Sequence, residues 1–404
     1  MANLRGKPID VATVLAVLFV AASVPLIAAR AIPREAWFLL ACAAAVPLLA
    51  LMPPRPSSFS TAAFVSSYGH WLLVVGVFFF GLTLELSDRD AERLLAANAL
   101  PGIAVGLFAL YQVVGIPRRW PGAGPLLVSF QREPFRFEQI GGYVRPTSVF
   151  LEPAWMGGYL TWVLVLAISL FFVAARPFWR VVALLCAGLS FLAIVSAVSW
   201  GAYADLLAAA VAGGITALRR RPLRRKSILL WTAAAAVLIL FVCLSSPARR
   251  VVEAVQARSK ALLETPLEAA ELSPEVRDSS WIRYKNLVHT ARVFRSQPLR
   301  GVGLGQYGAY SRFSGRAGEE SVDPWCGWVA IAAQTGILGP FVLAGAIALV
   351  LIRWRSAPSR PGLLAVPALC ALAIVQQVHT GSFIDLWWWF LLSLAAVFSG
   401  SRPP

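Results

Sequence analysis

Charge is scarce in this chain. Of its 404 residues only 14% are Asp, Glu, Lys or Arg, against 58% hydrophobic, and the mean hydropathy is +0.69. A soluble domain carries about a quarter charged residues, so that class is excluded. Cysteine is sparse too: Cys42, Cys186, Cys243 and Cys370 lie inside apolar stretches, and with Cys326 they show no metal-ligand spacing. That excludes a disulfide framework and a cysteine metal centre, and leaves the cysteines as small core residues. No internal repeat is visible. No small-residue cleavage site follows the first apolar run, which therefore reads as a retained helix rather than a signal peptide.

What is present is one apolar run after another, each long enough to cross a hydrocarbon core about 30 Å thick. Eleven segments are predicted: 9–29, 37–52, 66–86, 94–115, 154–175, 178–198, 202–218, 227–246, 326–353, 362–380 and 383–399. The ninth is too long for one straight crossing, and "TGILGP" at 335–340 predicts a break there. The expected fold is an all-α polytopic membrane protein with 11 or 12 transmembrane helices.

The net charge of +16 reflects placement rather than nucleic-acid binding. Six of the 36 basic residues sit in "RRRPLRRK", 219–226, between two spans. This is the mark of a short cytoplasmic loop, and "RPFWR" (176–180) and "RWRSAPSR" (353–360) agree with it. Alternation then puts 116–153 and 247–325 outside. Five regions result: N-terminal helices at 1–115, a first extracytoplasmic loop at 116–153, central helices at 154–246, a large extracytoplasmic loop at 247–325 and C-terminal helices at 326–404. Eleven spans would place the N-terminus outside despite Arg5 and Lys7; a twelfth would place it inside.

Positive charge is usually depleted outside, yet Arg118, Arg119, Arg132, Arg136 and Arg145 crowd the first outer loop. The second carries twelve Arg and Lys, among them Arg283, Arg292, Arg295 and Arg300. Singly, these pair with loop carboxylates or lipid phosphates. As a cluster they favour a phosphate- or pyrophosphate-bearing lipid, because guanidinium matches phosphate oxygens bidentately. Residues 250–272 read as an amphipathic helix on the membrane surface, and 281–297 as another helix ending before Pro298. The "RGVGLGQYG" that follows is predicted to pass tightly beside a ligand; as a nucleotide motif it fails, lacking the βαβ context. Trp325, Trp328 and the tryptophans at 387–389 suit an interfacial belt or stacking on sugar rings.

Three stretches carry a resemblance. Arg283 precedes "PLRGVGLGQY", with Pro298, Gly301, Gly303, Gly305 and Tyr307; "RPTSVFLEPAWMGGYL" spans 145–160; "WCGWVAIAAQTGILG" spans 325–339. In this order they resemble the O-antigen ligase and polymerase superfamily over residues 145–339. The resemblance implies a GT-C-like membrane glycosyltransferase facing the periplasm of the bacterial inner membrane. Its donor would be a polyprenyl-pyrophosphate-linked oligosaccharide, and it would use no cofactor and no metal. A chain-length regulator protein is a further partner it suggests. Ligases of this kind carry a histidine where Trp325 and Cys326 stand, and "S-R" where this chain reads "SWGAY" from Ser199. Those departures, with the Glu152–Pro153 pair, point to a polymerase of O-antigen or exopolysaccharide. A ligase acting on lipid A–core is the alternative; a flippase of the same lipid is the second. Charge in outer loops and the lack of a repeat argue against the flippase.

Pyrophosphate is a good leaving group, so the chemistry needs cations on the departing phosphates and a base for the acceptor hydroxyl. Direct displacement would invert the anomeric centre. The expected catalytic residues are Arg145 and Glu152, with Arg145, Arg283, Arg292, Arg300 and Tyr307 contacting pyrophosphate or glycan. Glu152 reads equally as a helix-start carboxylate. His289, Asp323 and His379 are further bases to consider. Asp205, a carboxylate inside a span, is a functional candidate by position, with helix–helix hydrogen bonding as the alternative.

Overall fold

The computed structural model describes residues 3–4, 7–8, 34–52, 59–84, 86–124, 139–140, 143–150, 152–220, 253, 256, 279–307, 326–356, 365–379 and 386–399. Within them are eleven α-helices: α1 (Arg34–Ala45), α2 (Thr61–Thr83), α3 (Asp88–Gly115), α4 (Pro153–Val173), α5 (Pro177–Ser196), α6 (Trp200–Arg220), α7 (Ser279–Ser296), α8 (Gly327–Thr335), α9 (Leu338–Ser356), α10 (Ala365–His379) and α11 (Leu386–Ser399). A 3-10 turn, Val46–Leu51, continues α1. Two small antiparallel pairs complete the described structure: Asn3–Leu4 (β1) with Lys7–Pro8 (β2), and Gln139–Ile140 (β3) with Tyr143–Val144 (β4).

Among the described residues six stretches are long and apolar enough to cross a membrane: Arg34–Leu51, α2, α3, α4, α5 and α9. Ala365–His379 and Trp388–Ser399 are shorter apolar helices. Large apolar side chains point outward from these helices; Phe341, for example, is 66% exposed, which suits contact with lipid tails. Six such helices are compatible with a multi-pass membrane protein. Predicted segment 202–218 coincides with α6, which is not among the six. Segments 9–29 and 227–246 and most of the predicted surface helix 250–272 lie outside the described residues. The expected break in 326–353 is real: α8 stops at Thr335, Gly336 takes φ +75°, and α9 begins at Leu338.

The chain divides into two compact units, one of 1–86, 277–358 and 373–404, the other of 87–276 and 359–372. In the second, α4 is central, packed against α3, α5 and α6. Small residues let backbones approach, as is usual in lipid, where packing replaces the hydrophobic drive between helices. A Cβ on Gly157 would overlap Ala202, and one on Gly106 would come within 3.1 Å of Leu189. Ser87 caps α3, accepting from Asp90 N at 3.2 Å, and Asp88 and Asp90 suit its positive end.

In the first unit, α2 packs on α11. Ser393 donates to the Val77 carbonyl (3.0 Å), and Trp389 stands edge-on to Trp71 (5.4 Å) and Phe78 (5.9 Å). The indoles of Trp71 and Trp388 donate to the Ala43 and Ala373 carbonyls, at 2.7 and 2.6 Å. Trp388 and Trp389 are thus core residues, neither belt nor sugar platform. Arg353, in the predicted cytoplasmic group, donates to the Leu82 carbonyl at 2.6 Å. That places a cation on the carbonyl end of α2, where the helix dipole favours it.

Candidate functional site

The first candidate group surrounds the start of α4. Pro153 occupies the first turn, where its missing N–H costs nothing, and Glu152 stands before it with extended backbone (φ −130°, ψ 145°). The Glu152 carbonyl accepts from Met156 N at 3.2 Å. Its side chain is half-buried and makes no capping hydrogen bond. Glu152 therefore has the cap position anticipated for it without acting as the cap.

The approach to Glu152 is held by Gln112, buried in the last turns of α3. Gln112 Oε1 accepts from Thr147 N (3.0 Å) and Ser148 N (2.6 Å), while its Nε2 reaches the Ser148 carbonyl at 3.5 Å. Ser148 Oγ donates to the Val105 carbonyl at 2.9 Å. These bonds hold Ser148 at φ +52°, a left-handed conformation that non-glycine residues rarely adopt.

Arg145 is only 4% exposed. Its Nε donates to the Ala197 carbonyl at 2.8 Å. Tyr143 donates to the Ser196 carbonyl and Tyr203 to the Val195 carbonyl, both at 2.8 Å. Three consecutive carbonyls at the end of α5 are thus satisfied by three side chains, solving the open-carbonyl problem of a helix end. A guanidinium there also complements the negative end of the dipole. Burial pushes the Tyr143 phenol well above its usual value, and Tyr203 beside it adds to the rise. Arg145 therefore has a packing role whatever else it does; the bond to Ala197 uses one of five guanidinium N–H donors. Asp205, in α6 of the same unit, is fully buried.

The second group belongs to the other unit. The glycine loop after α7 folds back onto the end of α8. Val302 N donates to the Ala333 carbonyl and Gly303 N to the Gln334 carbonyl, both at 2.9 Å. Gly305 N donates to Gln334 Oε1 at 3.1 Å, and Ile337 N to the Pro298 carbonyl at 2.8 Å. Gly301, Gly303 and Gly305 all have positive φ. The tight passage expected of these glycines is real, but it runs against protein. A Cβ on Gly301 would overlap the backbone of Gln334 and Thr335, and one on Gly305 would overlap Ser67 Oγ and sit 2.8 Å from the Ala63 carbonyl oxygen. Two of its amides serve the last carbonyls of α8 and a third the Gln334 side chain, so those three are not open to a phosphate.

Gln306, buried next to it, clamps Ser60 by both ends: Ser60 N donates to Oε1 and Nε2 donates to the Ser60 carbonyl, each at 2.8 Å. Arg300 donates through Nε to Gln297 Oε1 (2.9 Å) and through a terminal nitrogen to the Met52 carbonyl (2.7 Å). Tyr307 is buried with Val293, Val302 and Ala333. Its hydroxyl pairs with Thr290 Oγ1 at 2.7 Å, and its ring stands edge-on to His289, centroids 6.1 Å apart. Both Arg300 and Tyr307 are thereby tied into packing. Arg292 is exposed and His379, the last residue of α10, is half-buried. Arg283 lies on α7 with its side chain outside the described residues, as is all of Asp323.

Sequence reasoning passed over Gln112, Gln306, Gln334 and Gln377. The available signal was a glutamine within or beside an apolar run, since an amide in a lipid-facing segment needs a partner. Among the described residues no group of three or more His, Cys, Asp or Glu could hold a metal ion. Compared with protein-family models and with curated proteins, the chain matches none.

Proposed function

We propose that this chain is a glycosyltransferase of the bacterial inner membrane, facing the periplasm. In this reading it polymerises polyprenyl-pyrophosphate-linked oligosaccharides into O-antigen or exopolysaccharide, on a GT-C-like scaffold of 11 or 12 spans. The carrying observation is the loop before α4, where the end of α5 holds the buried Arg145 guanidinium and Gln112 fixes Thr147 and Ser148 on the approach to Glu152. Preorganised charge in a dry setting is what stabilises a departing anion.

The step is one displacement. An acceptor sugar hydroxyl attacks the anomeric carbon, and the bond from that carbon to the pyrophosphate oxygen breaks. Glu152 takes the hydroxyl proton, Arg145 holds the leaving oxygens, and the anomeric centre inverts. Arg283 and Arg292 are proposed to gather the lipid pyrophosphate.

The test is turnover of purified protein on the lipid-linked oligosaccharide alone, with products resolved by size. Wild type yields a ladder, and Arg145→Ala and Glu152→Ala lose it while remaining folded. Transfer only after lipid A–core is added identifies a ligase instead. No transfer in either case refutes the enzyme reading and favours a flippase.

A further inference from the structure

Gln377 lies two residues before the end of α10, in the same unit as α8. Its side chain is fully buried. Neither Oε1 nor Nε2 has a hydrogen-bond partner among the described residues. Nearly all buried amides are paired, and each exception calls for a physical reason.

The amide end presses on Gly327, the first residue of α8. A Cβ on Gly327 would overlap Gln377 Oε1 and come within 2.7 Å of Cδ, so glycine is what lets the amide reach the helix start. The N-cap of α8, Cys326, makes no side-chain capping bond, and the first N–H groups of a helix have no intrahelical acceptor. Trp328, the next residue, is half-buried and tied by its indole to the Ile374 carbonyl at 3.1 Å. An amide donor and acceptor thus lie against the first residue of α8, whose opening N–H groups have no intrahelical acceptor.

The pairing rules choose the ligand. An ionised phosphate accepts only, so it would satisfy Nε2 and the helix N–H groups and leave Oε1 without a donor. A sugar hydroxyl both donates and accepts, and two adjacent hydroxyls match the two ends of an amide. We propose that Gln377 and the first turn of α8 form a hydroxyl-binding subsite for a sugar of the lipid-linked glycan. This rests on the glycosyltransferase reading above, which names no residue for the sugar itself.

The experiment measures binding of the full chain, in lipid nanodiscs, to two probes: polyprenyl pyrophosphate alone, and the same lipid carrying the repeat oligosaccharide purified from producing cells. Wild type is expected to bind the glycosylated lipid at least tenfold tighter than the bare one. Gln377→Met, similar in volume and without polar ends, is expected to lose that difference, keep its affinity for the bare lipid and melt no lower. A Gln377→Met protein that discriminates as wild type does overturns the subsite and leaves the proposed function standing. Wild type that binds neither probe, or gains nothing from the sugar, overturns both. If Gln377→Met does not fold, Gln377→Asn, which withdraws the amide by one methylene, reads the same difference.

Discussion

Gly301→Ala separates a glycine loop built for packing from one built for a ligand. Gly301 sits at φ +70°, where an L-residue costs about 1–2 kcal/mol. The new Cβ would also overlap the Gln334 and Thr335 backbone, which has no freedom to swing away. Relief requires the loop to lift from α8, weakening the bonds from Val302 N to Ala333 and Gly303 N to Gln334, each contributing about 0.5–1.5 kcal/mol. The sum is a loss of about 2–5 kcal/mol. Gly122→Ala is the control: φ is +71° and nothing lies within 4 Å of its Cβ position, so only the conformational cost of about 1–2 kcal/mol applies. Denaturant unfolding of both variants in detergent gives the comparison. Equal losses would refute the packing of the loop on α8. Wild-type stability in Gly301→Ala, with lost affinity for the lipid-linked glycan, would restore the ligand-approach reading.

Gln112→Leu removes the acceptor of two buried backbone N–H groups. It should cost about 2–6 kcal/mol in unfolding experiments, one desolvation penalty for each group, and should lower transfer more than Tyr203→Phe does. Tyr143 has a phenol raised by burial, so the folded chain holds that proton more tightly than the unfolded one. Its contribution persists below about pH 10, the ordinary tyrosine value, and is lost as pH rises further. Tyr143→Phe should flatten the alkaline fall in stability and lower the pH 6–9 plateau evenly by about 0.5–1.5 kcal/mol, for the one hydrogen bond lost. Trp389→Ala empties the aromatic cluster of Trp71, Trp388 and Phe78 and should cost about 3–5 kcal/mol. A loss near zero would mean that α2 and α11 do not pack as described.

The sequence by itself determined the membrane class, because hydropathy over about twenty residues is a local quantity set by bilayer thickness. It also located the interruption between α8 and α9, since glycine and proline act on their own backbone, and a helix at 281–297 ending before Pro298, found at Ser279–Ser296. It pointed to Arg145 and Glu152 as residues of interest. Only the tertiary structure decided what those residues hold. Arg145 binds a carbonyl 52 residues away, the glycine loop caps a helix about 30 residues downstream, and Gln377 meets Gly327 across two helices. Hydrogen-bond partners distant in the chain leave no periodicity to read, because which carbonyl or amide is left open depends on where another helix happens to end.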